Sequence, residues 1–450
     1  MSLLEEGRKT LVLAVPLVTS QVSQMAMAVV DTAMIGDVGS LELAASAFAN
    51  NVLHVPMLAA AGLSVAVSVK TSQARGAGDR EAAARAVRHG VWLALGIGLL
   101  TLVGAFALLP LLGFFRQDPD VIARVPGYFL LVAASMVPAF ALMGLKNHAD
   151  ALNRPWWPMG IVVAGVAFNA LLNWVLIRGN WGAPALGLEG AGVATLIARM
   201  ATVAGLFWWM VKSDVLGEWM PTRWLGRLRG RTVRSLARIG GPAALQIGAE
   251  FGAFIAAALI IGSMGEIELA AHQVAFTFSA TLYMIPLGFS MALTVRTGDA
   301  KGAGELGRLR DILLSTWGMI LVLSLSCMAG LWFFPEVIAD WFSDDRETIG
   351  LAAAILMVTA IFQVGDQSQI IFSGYLRGLD DVTMPAVIMV VCYWILGMPF
   401  GWWLAFERGM GAPGIWWGLT LGLWATAVGL GVRILWKGRE LSLREVVAED

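Results

Sequence analysis

The sequence predicts an all-α membrane protein: twelve transmembrane helices in two six-helix lobes related by a pseudo-two-fold axis along the membrane normal. Three observations predict it: a composition too apolar for a soluble core, a dozen apolar runs of spanning length, and a half-chain repeat. The chain is 58% hydrophobic and 14% charged over 450 residues, with a mean hydropathy of +0.73, whereas soluble domains run near ~25% charged. The net charge of -1 comes with basic residues dealt out between apolar segments and not pooled, so no nucleic-acid partner is expected. Cys327 and Cys392 both fall inside apolar runs, which suggests neither a disulfide framework nor a thiolate metal site.

The segments follow in order, each about 18 to 26 residues, the length that crosses roughly 30 Å of hydrocarbon. The start, MSLLEEGRKT, carries two glutamates and leads into a run near 10–35 without a small-residue cleavage site, so the first run reads as a span and not a signal peptide. A second run, 44–69, stops at Lys70, Arg75, Arg80, Arg85 and Arg88; the third, 91–112, and fourth, 122–145, flank Arg116. Lys146 and Arg154 precede the fifth, 158–177, and Gly182-Ala183-Pro184 the sixth, 190–211. Seven basic residues from Lys212 to Arg238 form a long linker before the seventh, 239–263, and eighth, 270–295. Arg296 to Arg310 leads into the ninth, 311–334. Asp340, Asp344, Asp345 and Glu347 precede the tenth, 349–374, and Arg377 the eleventh, 384–405, while the twelfth, 414–436, runs out into Arg433 to Arg444. Alternate gaps hold 25 of the 31 basic residues, and the others hold only Arg116, Arg124, Arg178, Arg346 and Arg408. The positive-inside rule therefore puts both termini in the cytoplasm.

Sliding the chain by 226 residues lays the stretch from Pro16 on that from Pro242, LELAA from Leu41 on IELAA from Ile267, and Gly76-Ala77-Gly78 on Gly302-Ala303-Gly304. Each half then holds six helices, an even number, so both enter and leave on the same side, as in transporters built from parallel repeats. The expected lobes are 1–220 and 221–450. Asp31 aligns with Ala257 and Glu250 with Gln24, so each ionisable position belongs to one lobe only.

Three carboxylates, Asp31, Glu250 and Asp366, lie inside spanning runs. A charge at a helix centre costs roughly 2.5 to 3.5 kcal/mol, so such an acid is by default a proton, ion or substrate site. Asp31 reads either as an interfacial acid reaching water or as part of an oxygen cage with Asn169, Asn173 and Thr195, which share its depth. Asn169 and Asn173 are spaced i, i+4 on one face, and carboxylate, amide and hydroxyl oxygens suit Na+ or, through titration, a proton. The alternative for the asparagines is interhelical hydrogen bonding. Glu250 and Asp366 sit deeper, close enough in depth for a pair or a shared ion, with Gln246, Gln363 and Gln367 adding oxygens and no basic partner expected nearby. Gln273, in AAHQVAF at the start of the eighth run, joins the candidate ion and substrate positions, whereas His272 beside it reads as a packed or hydrogen-bonded residue. Arg199, within the sixth run, either neutralises a carboxylate or snorkels toward the inner face. Neither a nucleotide-binding phosphate loop nor H-E-x-x-H or G-x-S-x-G is present, so no enzyme is expected and no cofactor beyond Na+ or H+ as coupling ion.

VVDTAMIGDVG, the GAGD turn after the second run, FNALLNW, GAP followed by GAGVAT, AAHQVAF and FSGYLRGLDD, in that order and over nearly the whole chain, resemble the multidrug and toxic compound extrusion transporters. Glu250 in AEFGAF and Asp366 in FQVGDQSQ bring the chain nearest to the bacterial norfloxacin-exporter (NorM-like) branch. The resemblance implies a multi-pass antiporter of the bacterial inner membrane that expels cationic amphipathic drugs against inward Na+ or proton flow, with drugs and membrane lipid as partners and no obligate protein partner. It also implies an N-lobe cation site at Asp31, Asn169, Asn173 and Thr195, and a C-lobe site at Glu250 and Asp366, where Na+ would lie on Asp31, Asn173, Glu250 and Asp366. Two positions depart from the pattern: Phe362 stands where relatives often carry tyrosine, and Asn173 where some carry aspartate. The rival expectation is a flippase for lipid-linked oligosaccharide or lipid, of related fold, which would need a basic cavity.

Overall fold

In the computed structural model, which describes residues 3–115 and 117–449 and side chains as far as 441, twelve helices have the length and apolarity to cross a membrane. They are α1 (Leu3–Gly36), α2 (Ser40–Gly76), α3 (Arg80–Phe115), α4 (Pro119–Ala151), α5 (Trp156–Arg178), α6 (Gly187–Lys212), α7 (Gly230–Gly262), α8 (Glu266–Gly302), α9 (Arg308–Phe333), α10 (Arg346–Gly378), α11 (Thr383–Glu407) and α12 (Ala412–Leu441). No strand occurs among the described residues, and Arg116, together with the side chain of Arg444, lies outside them. Eight of the twelve helices, at 30 to 37 residues, exceed the 18 to 26 expected from the apolar runs. At 1.5 Å per residue the longest reach roughly 55 Å, well beyond the hydrocarbon, so their ends continue as protein-packed helix where hydropathy has already fallen.

The chain divides into two compact units, a C-unit of Met1–Val18 with Leu245–Asp450 and an N-unit of Thr19–Ala244. Each change of unit falls inside a helix, whereas the sequence places its lobe boundary at 220/221 in the linker. Both changes come two residues after a proline within the helix, Pro16 in α1 and Pro242 in α7. Those prolines are repeat equivalents, and each removes one backbone hydrogen bond at that turn.

Within the N-unit α4 is the hub, packed on α2, α3 and α6, with α5 against α6. Its end carries a buried ion pair, Lys146 Nζ to Asp150 Oδ2 at 2.7 Å, beside His148, whose Nδ1 meets Thr71 Oγ1 at 2.9 Å. Within the C-unit α10 plays the same part against α8, α9 and α12. Gly374 permits the α8–α10 approach, because a Cβ there would overlap the side chain of Ser290. Fully buried Glu6 is held by Arg296 and Arg308, which fastens the first turns of α1 into the C-unit.

Candidate functional site

Apart from the buried ion pairs of Lys146 with Asp150 and of Glu6 with Arg296 and Arg308, each unit carries a polar cluster built around acids of its spanning helices. In the N-unit, the i, i+4 spacing of the α5 asparagines brings both side chains to α6 and to the later half of α1. Gly190 makes the α5–α6 approach close enough, since a Cβ on it would stand 2.5 Å from the Leu176 carbonyl. Asn173 Nδ2 donates to Asp31 Oδ1 at 2.6 Å and to Asn169 Oδ1 at 3.3 Å, and Asn169 Nδ2 donates to Thr195 Oγ1 at 3.5 Å. Thr195 in turn donates to the Ala191 carbonyl at 2.9 Å. Asn173 Oδ1 is buried without a hydrogen-bond partner, an acceptor left beside a carboxylate. That donor set, one carboxylate with amide and hydroxyl oxygens, is the chemistry hard monovalent and divalent cations take.

Arg199 does not snorkel. Its Nη1 donates to Ser135 Oγ at 2.7 Å inside the N-unit, and its charge acts on Asp31 and on Tyr128, whose hydroxyl accepts from Asn50 Nδ2 at 3.4 Å. The guanidinium is thus turned inward onto Ser135, and no ion pair joins it to Asp31 among the described residues.

In the C-unit, α7 presents Gln246 and Glu250 one turn apart, and α10 presents Gln363, Asp366, Gln367, Ser373 and Arg377. Gln246 Nε2 donates to Ser373 Oγ at 2.6 Å and fixes the register of the two helices. Gln367 Nε2 donates to Gln363 Oε1 at 3.2 Å, and Ser324 donates to Gln367 Oε1 at 2.7 Å. Asp366 is 3% exposed, Glu250 is half-buried, and each carboxylate acts electrostatically on Tyr283. Among the described residues neither acid has a hydrogen-bond or ion-pair partner. The hydroxyl of fully buried Tyr393 is likewise unpartnered and within the field of both acids. Tyr393 lies in a π-helical stretch, Val391–Gly397, a distortion frequent where a helix must present a side chain off its regular spacing.

Some expected positions stand apart. Gln273 is exposed and donates to Thr277 at 3.4 Å, one turn along its own helix, and no hydrogen bond among the described residues joins it to either cluster. Phe362 is packed with Phe254 and Trp416 at ring distances of 6.0 and 5.6 Å, and Trp416 Nε1 donates to His272 Nδ1 at 3.1 Å. His272 is thus a hydrogen-bonded core residue. The expectation of no basic group near the deep acids is corrected: Arg377, counted from sequence as a cytoplasmic charge, is 8% exposed and acts on Glu250. Tyr283 and Tyr393 were also missed. Their signal was rarity, because the chain has four tyrosines and every one falls within a spanning helix.

Twelve spanning helices with polar clusters buried partway along them define a polytopic membrane transporter. The MatE family model matches residues 16–175 and again 242–403, two matches that begin 226 residues apart, and the chain belongs to that family, whose members are transporters and not enzymes. It is similar to a protein of Bradyrhizobium diazoefficiens named probable multidrug resistance protein NorM, 35% identical over 98% of this chain and 95% of that one. The multidrug resistance protein NorM of Burkholderia vietnamiensis is 33% identical over 92% and 91% of the two chains. Among solved structures, the Vibrio cholerae MATE transporter VcmN in its bent form matches with a TM-score of 0.89 at 21% identity, covering 98% of this chain and 99% of that one. The eukaryotic MATE transporter AtDTX14 matches with a TM-score of 0.85 at 22% identity, over 98% and 99%.

Proposed function

We propose that this chain is a secondary active multidrug exporter of a bacterial inner membrane, exchanging cationic amphipathic compounds for inward Na+ or H+ by alternating access, with both termini cytoplasmic. The observation that carries this reading is Asp366: a carboxylate 3% exposed, in the middle of a spanning helix, with no hydrogen bond or ion pair among the described residues. Such a group costs several kcal/mol to keep ionised unless a cation compensates it. A proton, a Na+ ion or a positively charged drug each supplies that compensation, and exclusive occupancy by one of them at a time is what couples their movements. Asp31, with Asn169, Asn173 and Thr195, offers a second seat, and Glu250 with Gln246 completes the first. The relatives' names, multidrug resistance protein NorM, agree with this substrate class.

Substituting Asp366→Asn keeps the shape and deletes the charge. Cells carrying it are expected to accumulate ethidium while the protein is still made and inserted, and proteoliposomes given a Na+ gradient and a pH gradient separately identify the coupling ion. Unchanged efflux by the variant removes Asp366 from the mechanism.

A further inference from the structure

The buried guanidinium of Arg377 has no place in the ion-coupled reading as stated so far. Its Nη2 donates to Ser290 Oγ at 2.7 Å, while its Nε is buried without a partner, and no carboxylate lies within ion-pair distance among the described residues. Ser290 is itself fully buried and committed, donating to the Ile370 carbonyl at 2.7 Å. Asp366, Ile370, Ser373 and Arg377 are spaced i+4, i+3 and i+4, so they form one stripe along α10. Gln246 meets that stripe at Ser373 and carries Glu250 one turn away on α7. The charged and titratable groups facing this region are therefore Glu250, Asp366, Arg377, Tyr283 and Tyr393. With both tyrosines neutral, two negative charges and one positive charge leave a single unbalanced charge.

We infer that Arg377 is a tethered counter-ion that sets the capacity of the Glu250–Asp366 cluster at one monovalent cation. This rests on the ion-coupled reading above. The guanidinium is held on Ser290, within reach of Glu250 electrostatically but not in an ion pair with it among the described residues. One guest then balances the second acid, a second guest has no charge left to balance, and when the guest departs Glu250 still faces a positive group. Arg377 is a positioning residue here: it shapes the field in which the guest binds and need not touch the guest.

The test counts guests. Asp31→Asn is placed in every sample so that only the C-unit cluster is read, and the purified protein in lipid nanodiscs is titrated with Na+ while bound Na+ and protons exchanged are measured together. One equivalent per protein is expected with Arg377 present, two with Arg377→Gln, and one again with Arg377→Lys, which restores the charge. One equivalent in Arg377→Gln overturns the inference. Should that variant fail to insert, Ser290→Ala frees the guanidinium to swing onto Glu250, with cation affinity expected to fall roughly tenfold; unchanged affinity there overturns it equally. If Asp31→Asn protein takes up neither Na+ nor protons beyond an Asp31→Asn, Glu250→Gln, Asp366→Asn control, the ion-coupled reading itself fails and takes this inference with it.

Discussion

The hydrogen bond from Asn173 to Asp31 gives the sharpest quantitative handle on the N-unit cluster. Asn173 is fully buried and its amide donates to Asp31 at 2.6 Å, slightly shorter than the roughly 2.7–2.9 Å usual for charge-assisted bonds from nitrogen. Hydrogen bonds to charged groups are worth about 1.5–3 kcal/mol, and every 1.4 kcal/mol is a factor of ten. Replacing Asn173 by Ala is therefore expected to lower the initial rate of drug efflux by about ten- to a hundred-fold, if Asn173 acts by holding the Asp31 carboxylate. The same reasoning fixes the double variant: once Asp31→Asn has removed the charge, adding Asn173→Ala should cost far less than it does in the parent, a coupling of about 0.5–3 kcal/mol in a double-mutant cycle. Initial ethidium efflux rates in proteoliposomes, normalised to inserted protein, supply all four corners. Losses that simply multiply would refute the argument, because they would mean that the two side chains serve efflux independently despite their contact.

Two further expectations concern stability. Lys146 and Asp150 form an ion pair with both side chains under one-tenth exposed, so Lys146→Met alone should destabilise the N-unit by about 3–5 kcal/mol by stranding Asp150, while Lys146→Met with Asp150→Leu should be neutral or stabilising; thermal unfolding in detergent checks both. Asp345 caps α10, accepting from the Thr348 backbone N–H at 2.9 Å and its hydroxyl at 2.7 Å, bonds that hold its carboxyl below the ordinary aspartate value. A carboxyl depressed in the folded state stabilises above its unfolded value and loses that contribution as pH falls through the folded one, so the protection factors of the first-turn amides of α10, measured against their intrinsic exchange rates at each pH, should fall on acidification below about pH 4 and lose that dependence in Asp345→Asn.

What the sequence could and could not reveal follows from where charge is counted. The spans and the half-chain repeat are properties of apolar spacing, and the two family-model matches fall on the same 226-residue shift. The contact of Asp31 with Asn173 was approachable because both lie a similar distance from a helix end and because i, i+4 spacing guarantees a shared face. Lys146, Arg296 and Arg377 were misread for one reason: a census of basic residues treats any charge beyond an apolar run as solvated. In the structure the helices outrun the hydrocarbon, and those three side chains are under one-tenth exposed, packed against neighbouring helices. Glu6 was hidden in the same way, as a terminal acid that proves fully buried. The π-helical turn that seats Tyr393 leaves no periodic trace at all, because a one-residue change of pitch within an apolar run looks like any other apolar run.

The asymmetry between the units has a mechanistic consequence. In the N-unit one carboxylate, Asp31, faces one guanidinium, Arg199, and is already hydrogen-bonded. In the C-unit two carboxylates share a cluster in which one guanidinium acts on Glu250, and neither acid has a hydrogen bond of its own among the described residues. Under the proposed ion coupling, a cation entering the first cluster would gain oxygens but little net charge, whereas a cation entering the second would neutralise an unbalanced acid. Two copies of one helical frame have thus been given unequal electrostatic depth. Coupling between an ion and a cationic drug requires that kind of inequality, since a guest shifts an equilibrium only by the difference in how well two states hold it. If the proposed coupling holds, exchanging the imbalance, by adding an acid through Asn173→Asp and removing one through Asp366→Asn, is expected to move the dominant cation seat from the C-unit to the N-unit. Equilibrium Na+ binding that then responds to Asn169→Ala, and no longer to Glu250→Gln, is the expected result, and binding that still depends on Glu250 alone would show that charge balance does not choose the seat.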